Sequence, residues 1–223
     1  MRTPTALVVA KAPVPGRAKT RLATHIGHEA AARIAAAALL DTIDVVERLD
    51  WPVVVAMTGR LGEAARGAEI SAALEPHRVV PQRGADFAAR LAAAHADADS
   101  GHGVVQVGMD TPHATAADLR EAGDALRTHT AVLGPAEDGG WWVLGVRDAG
   151  LAAGLAQVPM SRPDTGTLTR AALVAEGATV ADARTLSDVD TWHEARTVAA
   201  LAPGTRFAAE VARTRELDPE AAR

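Results

Sequence analysis

The feature that most constrains the fold is a regular alternation of short apolar segments with longer stretches of helical periodicity. The apolar segments are rich in β-branched residues and predict strands at 5–10, 51–57, 78–81, 103–108, 130–133, 141–146 and 179–180. Helices are predicted at 28–49, 86–96, 115–127, 148–156, 164–176 and 190–200, with Thr115 and Asp118 as a capping pair. This alternation predicts an α/β fold, a three-layer α/β/α sandwich whose mixed sheet is mostly parallel.

Composition narrows the class of protein further. The 223 residues fit a single domain, expected over 1–203, followed by a polar C-terminal tail at 204–223 that is helical in part. A net charge of −5 argues against nucleic acid as a partner. The absence of cysteine excludes disulfides, thiolate metal sites and a cysteine nucleophile. No apolar stretch approaches a membrane span and no signal peptide is recognised, so a cytoplasmic location is expected.

A basic loop directly follows the first predicted strand. It contains Lys11, Gly16, Arg17, Lys19 and Arg21, and no acidic residue occurs before position 29. Only two of the chain's 23 basic residues are lysines, and both lie in this loop. Four cations can neutralise a diphosphate, and a glycine lets the backbone approach it closely. The loop therefore predicts a phosphate-binding site, although a solvated turn that caps a helix is the alternative.

Three aspartates are candidates for metal binding. Asp110 follows a buried strand, and Asp188 and Asp190 are two residues apart in an extended segment, so their side chains point the same way. Mg²⁺ and Mn²⁺ prefer such oxygen ligands and are often held by one or two carboxylates together with substrate phosphates. The alternatives are that Asp110 is a turn or capping residue and that Asp190 is the N-cap of the next helix.

Two further loops contain candidate substrate-binding residues. Asp138 and Gly139 belong to a glycine-rich turn before Trp141 and a second tryptophan, of which only one is expected to line a pocket. Asp138 could orient an acceptor hydroxyl or act as a base, whereas a simple hairpin explains the same residues. Gln82 and Asp86 could contact a nucleotide, and a loop that caps the following helix explains them equally well. Because ligands bind at the carboxyl ends of parallel strands, loops 11–21, 82–87 and 109–112 are expected to share one crevice.

These segments together resemble a bacterial glycosyltransferase-like family of the nucleotide-diphospho-sugar transferase superfamily, which has the GT-A fold. The resemblance rests on KAPVPGRAKTRL at 11–22, GMDTP at 108–112, GPAEDGGWW at 134–142, PMS at 159–161, TGTLT at 165–169 and DVDT at 188–191. The KTRL and DVDT pieces are also similar to guanylyltransferases that activate phospholactate or phosphoenolpyruvate. The resemblance implies that Arg17, Lys19 and Arg21 contact nucleotide phosphates and that Asp110, Asp188 and Asp190 hold the metal.

The expected function is therefore a transferase that depends on Mg²⁺ or Mn²⁺ and uses a nucleotide-activated donor with a small-molecule acceptor. In the first hypothesis a sugar moves from a nucleoside diphosphate, with Lys19 and Asp138 as catalytic residues. In the second, a nucleotidyltransferase, a phosphorylated acceptor attacks a nucleoside triphosphate and releases pyrophosphate. A nucleotide-binding module without catalytic activity is the third hypothesis, and a homodimer is compatible with all three.

Overall fold

The computed structural model describes residues 3–217 and has a seven-stranded sheet with the order β3-β2-β1-β4-β6-β5-β7. Six strands run in one direction, and β6 is antiparallel to both of its neighbours, β4 and β5. The mostly parallel, mixed sheet predicted from the sequence is confirmed. The strands are β1 (Thr5–Lys11), β2 (Val53–Thr58), β3 (Arg78–Pro81), β4 (Val104–Gly108), β5 (Ala131–Pro135), β6 (Trp141–Val146) and β7 (Val180–Asp182).

Helices connect the strands and cover both faces of the sheet, which completes the predicted three layers. They are α1 (Thr20–Ile26), α2 (His28–Glu47), α3 (Gly67–Leu74), α4 (Phe87–Ala98), α5 (Ala116–Ala125), α6 (Thr165–Ala175), α7 (Trp192–Leu201) and α8 (Arg206–Leu217). Two 3₁₀ helices span Leu61–Glu63 and Ala149–Gln157. Within residues 3–217, no helix combines the length and the apolar character that a membrane crossing requires.

The two faces of the sheet bury separate hydrophobic clusters, because successive side chains of a strand point to opposite faces. In β1, Ala6 and Val8 pack with α2, α3 and α5, whereas Leu7 and Val9 pack with α4 and the longer 3₁₀ helix. All four residues are at most 7% exposed. This burial on both faces explains why the strand is almost continuously apolar.

A third cluster joins α1, α2, α7 and α8 beside the sheet. Phe207 and Val211 of α8 are buried there, at 0% and 2% exposure. Asp41 of α2 accepts hydrogen bonds from the backbone N–H groups of Arg206 and Phe207 at 3.1 and 2.8 Å, which satisfies the start of α8. The segment that follows the predicted domain end at residue 203 thus packs on α2 and α7.

Three local predictions differ from the structure. Helix α1 lies in what was predicted as the end of the basic loop, and α3 lies in a stretch for which no element was predicted. Both helices have at most eight residues, too few to display a helical period in the sequence. The helix predicted at 148–156 is a 3₁₀ helix, Ala149–Gln157.

Candidate active site

A cavity of about 370 Å³ opens at the carboxyl ends of β1 to β4. Loops 11–21, 82–87 and 109–112 all contribute to it, as expected for one shared crevice. A second cavity of about 420 Å³ adjoins the first and shares Lys11, Asp110 and Asp190 with it. Because β6 runs antiparallel, its first residue, Trp141, also lies at this edge. The predicted residues that line the first cavity are Lys11, Gln82, Asp110, Asp138, Trp141, Asp188 and Asp190; Arg17, Lys19 and Arg21 line the second.

Lys19 is held both by its backbone conformation and by two ion pairs. Its backbone has φ 49° and ψ 49°, a left-handed conformation that is uncommon outside glycine, at the position before α1. Its Nζ lies 2.8 Å from Asp110 Oδ1 and 2.9 Å from Asp190 Oδ1, and its side chain is only 9% exposed. Burial opposes the charged form, but Asp110 and Asp190 outweigh it and raise the pKa of Lys19. One ammonium group therefore joins two of the predicted metal ligands.

The loop that contains Asp188 and Asp190 is fastened directly to the end of β4. The backbone N–H of Val189 donates to the carbonyl of Asp110 at 2.9 Å, and the Val189 side chain is buried in the third hydrophobic cluster. This bond holds both flanking aspartates beside Asp110. The N-cap of α7 is Thr191, which forms a capping box with Glu194. The alternative that Asp190 caps this helix is thus wrong.

The pKa values of Asp188 and Asp190 are shifted in opposite directions because their surroundings differ. Burial and the neighbouring Asp110 raise the pKa of Asp188 to about 7, while Lys19 acts in the opposite direction. For Asp190, burial is outweighed by Lys19 and Arg21, and its pKa is lowered. A buried carboxyl group beside other carboxylates is stabilised in its charged form when a cation binds near it. The electrostatics of the site thus suit a hard cation with oxygen ligands.

The three aspartates nevertheless do not form a complete ligand set. Among residues 3–217, no three aspartate, glutamate or histidine side chains are already arranged to hold a metal ion. Asp110 and Asp190 instead share the ammonium of Lys19, as described above. Asp110 is not a helix cap, since α5 is capped by Thr115 and Asp118. Its carboxylate is 41% exposed and remains accessible from both cavities.

The predicted turn at Asp138 both stabilises the loop and borders the cavity. Of the two carboxylate oxygens of Asp138, Oδ1 accepts a hydrogen bond from the N–H of Gly140 at 2.8 Å. Gly139 lies outside both cavities. It has φ +89° and packs against the carbonyl of Pro163, and its own carbonyl accepts a hydrogen bond from the N–H of Gly166. Trp141 donates from Nε1 to Thr169 Oγ1 at 3.1 Å.

The two tryptophans of β6 face opposite sides of the sheet, as the strand geometry predicts. Trp142 is buried in the cluster of α2 and α5, whereas Trp141 packs with the cluster of α4. Both nevertheless border the first cavity. The expectation that only one of them lines a pocket is wrong. Both tryptophans are at the first end of β6, and the cavity extends around this end of the strand.

Three other predicted binding residues have mainly local contacts. Gln82 lines the cavity, but its Nε2 donates to the carbonyls of Ala10 and Ala56, both at 2.9 Å, which leaves its carbonyl oxygen for a ligand. Asp86 caps α4 by accepting from Ala89 N–H at 2.8 Å and does not line either cavity. Gly16 forms a turn at φ +74°, also away from the cavity linings.

Sequence reasoning missed several cavity residues. Gln106 could have been noticed as the single polar side chain within the apolar strand β4. Arg90 of α4 had no distinguishing signal in an arginine-rich chain. Met160, Ser161 and Arg162 close the cavity from the loop before α6, a loop that sequence reasoning assigned no residue of the site.

Comparisons with known proteins agree with this architecture. A family model described as "Uncharacterized protein conserved in bacteria (DUF2064)" matches residues 39–162, more than half of the chain. No curated protein sequence matches it. A candidate nucleotide-diphospho-sugar transferase from Desulfovibrio desulfuricans G20 is 25% identical, with a TM-score of 0.84 over 99% of this chain and 97% of that one.

Two more distant structures share the fold. Rv0371c from Mycobacterium tuberculosis H37Rv, in complex with manganese, is 20% identical, with a TM-score of 0.53 over 88% of this chain and 97% of that one. CMP:2-keto-3-deoxy-manno-octonic acid synthetase, complexed with CTP, is 12% identical, with a TM-score of 0.58 over 90% and 98%. The fold is thus that of the nucleotide-diphospho-sugar transferases and related nucleotidyltransferases, as the sequence resemblance implied.

Proposed function

The chain belongs to the DUF2064 family, whose members are conserved in bacteria, and we propose that it is a metal-dependent transferase acting on a nucleotide-activated donor. The observation that carries this proposal is the Lys19 ammonium between Asp110 and Asp190 at the junction of two cavities. Cations for a diphosphate and carboxylates for a metal meet there, and each is a separate requirement of this chemistry.

In our proposal, Asp110, Asp188 and Asp190 would hold Mg²⁺ or Mn²⁺, and the bound ion would supply Lewis-acid stabilisation of the donor diphosphate. The carboxylate oxygens suit either ion, and the manganese present in the Rv0371c structure supports a divalent cation. Lys19 then exchanges its two carboxylates for the oxygens of the donor phosphates. Arg17 and Arg21 are 73% and 74% exposed beside the second cavity and are available to the same phosphates.

The preferred reaction is glycosyl transfer. The acceptor hydroxyl oxygen attacks the anomeric carbon of the sugar, the bond from this carbon to the distal phosphate breaks, and the nucleoside diphosphate leaves with the electron pair. Asp138 orients the hydroxyl and takes its proton at Oδ2, because Oδ1 is engaged by Gly140. Lys19 stabilises the charge on the leaving diphosphate, a contribution of roughly 3 kcal/mol.

Nucleotidyl transfer is the second candidate. It is favoured by the nucleotidyltransferases among the structures with this fold, one of which contains CTP. In this reaction a phosphate oxygen of the acceptor attacks the α-phosphorus of a nucleoside triphosphate, and the bond to the β-phosphate breaks with release of pyrophosphate. The same cations and carboxylates would serve both reactions.

One assay separates the two candidates. The protein is incubated with Mg²⁺ or Mn²⁺ and panels of nucleoside triphosphates and nucleoside-diphosphate sugars, together with mixed small acceptors. Free nucleoside diphosphate from a sugar donor supports glycosyl transfer, and pyrophosphate supports nucleotidyl transfer. Asp110→Asn should abolish either product, whereas Asp124→Asn, on the surface of α5, should not. Absence of both products from the wild-type protein would contradict the proposal.

A further inference from the structure

The first cavity is lined by two chemically different groups of side chains. Asp110, Asp138, Asp188 and Asp190 are carboxylates, and the proposed metal and acceptor hydroxyl belong beside them. Arg90 of α4 and Gln106, in the middle of β4, line the same cavity. A ligand that fills the cavity therefore meets hydrogen-bond donors as well as carboxylates.

Arg90 is a cation without an acidic partner. Its Nε is buried and makes no hydrogen bond, and within residues 3–217 no carboxylate lies within ion-pair distance of its guanidinium. Its Cζ lies over the ring of Phe87, 5.7 Å from the ring centroid, which is within the range of a cation–π contact. Arg162, in the same cavity, differs: it binds Asp164 through two bonds of 2.9 and 3.0 Å. Of these two cavity arginines, Arg90 is the one that can donate bidentate hydrogen bonds to a ligand.

Gln106 is held in one orientation by a buried histidine. His95 of α4 is fully buried, and its Nε2 lies 2.9 Å from Gln106 Oε1. A neutral His95 that donates from Nε2 leaves only the acceptor Nδ1 unpaired, which costs less than an unpaired N–H would. The side-chain carbonyl of Gln106 then accepts the hydrogen bond from His95. The side-chain N–H groups of Gln106 are left to donate to a ligand in the cavity.

We propose that Arg90 and Gln106 form a subsite for an oxyanion, a carboxylate or phosphate group, of the acceptor substrate. Both side chains offer only donors, which matches a group that only accepts hydrogen bonds. The donor diphosphate has its own cations, Lys11, Arg17, Lys19 and Arg21, on the second cavity. The inference rests on the proposed function and adds that the acceptor is a small acid whose hydroxyl reaches Asp138.

The test measures binding of small hydroxy acids by calorimetry with Mn²⁺ and a nucleoside diphosphate present. The probes are lactate, glycerate and 3-phosphoglycerate, compared with the neutral lactamide and glycerol. We expect the acids to bind and the neutral compounds not to bind. Because 3-phosphoglycerate carries both groups, glycerol 3-phosphate is compared with glycerate to distinguish a phosphate from a carboxylate as the preferred group.

Variants assign the binding to the subsite. Arg90→Gln should weaken acid binding at least about tenfold, because a charge-assisted pair is lost. Arg127→Gln should change it less than about threefold, because Arg127 lies outside both cavities and is already paired with Asp124. Gln106→Leu should weaken binding by an intermediate factor, and Arg90→Lys should restore part of the loss of Arg90→Gln, which keeps the conclusion independent of misfolding.

The outcomes separate this inference from the proposed function. If the wild-type protein binds nucleoside diphosphate and Mn²⁺ but no acid, the subsite is refuted and the proposed function stands. If Arg90→Gln weakens nucleotide binding as much as acid binding, Arg90 serves the donor and the inference is wrong. If the wild-type protein binds no nucleotide with any metal, the proposed function itself fails.

Discussion

At the scale of single residues, Lys19 occupies the place between two carboxylates that a divalent cation would take. Lys19→Met removes the ammonium and leaves Asp110 and Asp190 facing each other. Because these carboxylates are 41% and 40% exposed, solvent screens their repulsion, and we expect a loss of only about 1 kcal/mol in unfolding free energy without metal. Mn²⁺ should bind this variant more tightly than the wild type, since it no longer competes with the ammonium.

Urea unfolding with and without Mn²⁺ measures both effects. Arg21→Met is the matched control, because Arg21 lies 3.4 Å from Asp190 but is 74% exposed. It should change the unfolding free energy by less than about 0.5 kcal/mol. An equal stabilisation by Mn²⁺ in the wild type and in Lys19→Met would show that the ammonium and the metal do not compete.

Gly139 is a second residue with a measurable role, in the loop that positions Asp138. A Cβ at this position would lie 1.9 Å from the carbonyl oxygen of Pro163, in a backbone with φ +89°. Gly139→Ala should therefore cost roughly 3 kcal/mol, from strain and from displacement of the loop. Gly16→Ala is the control: its φ is +74°, but a Cβ there meets nothing within 4 Å, so only the strain of about 1 kcal/mol remains. Thermal or urea unfolding of the two variants gives the difference, and equal losses would contradict the close packing at Pro163.

At the scale of elements, α4 and β4 are joined by the pair of His95 and Gln106. Burial lowers the pKa of His95 to about 4, although its bond to Gln106 acts the other way. In the unfolded chain, His95 is therefore protonated as the pH falls through about 6.5, whereas in the folded protein it is protonated only near pH 4. Folding stability should fall across this window by about 3 kcal/mol and then level off.

The pH dependence of urea unfolding tests this expectation. His95→Leu should lack the contribution, so its unfolding free energy should vary less than that of the wild type between pH 6.5 and 4. His25→Leu, at an exposed position of α1, should keep the wild-type dependence. Parallel pH profiles for the wild type and His95→Leu would mean that His95 is protonated in the folded protein.

Elements were predictable where a local pattern identifies them. The apolar runs located every strand, and the Thr115 and Asp118 pair located the start of α5. Helix α3 was missed because only Ile70 and Leu74 of its eight residues are buried, which is too weak a period to recognise. The direction of β6 is set by its pairing with the distant strand β4 and with β5. The sequence therefore predicted a mixed sheet but did not indicate which strand is antiparallel.

At the scale of the whole molecule, α8 belongs to the same packing as α2 and α7. Phe207 is fully buried in the cluster of these helices. Phe207→Ala should lower the unfolding free energy by roughly 3–4 kcal/mol, because it removes a large buried side chain and leaves a cavity. Leu201→Ala, at a position 63% exposed, should change it by less than about 0.5 kcal/mol.

A single cooperative transition in both variants, measured by circular dichroism and by tryptophan fluorescence, would support α8 as part of the domain. If Phe207→Ala were as stable as the wild type, α8 would be an appendage to a domain that ends near the predicted boundary at residue 203.

The site was predictable in its parts and less so in its arrangement. The rule that ligands bind at the carboxyl edge of a parallel sheet predicts that the basic loop and Asp110 share one crevice. The bridge from Lys19 to Asp190 spans 171 positions of sequence, and its form depends on the left-handed backbone at Lys19 and on the bond from Val189 to Asp110. Neither leaves a signal in the sequence, because both are set by packing between distant segments.

The metal site proposed at Asp110, Asp188 and Asp190 would hold a divalent cation that also binds the donor diphosphate. Electron paramagnetic resonance of free Mn²⁺, titrated with the protein in the presence of pyrophosphate, tests it most directly. We expect one tightly bound Mn²⁺ per chain, with binding weakened at least about tenfold by Asp110→Asn or Asp190→Asn and unaffected by Asp164→Asn. Mn²⁺ binding of the same affinity in all three variants, or none in the wild-type protein, would contradict it.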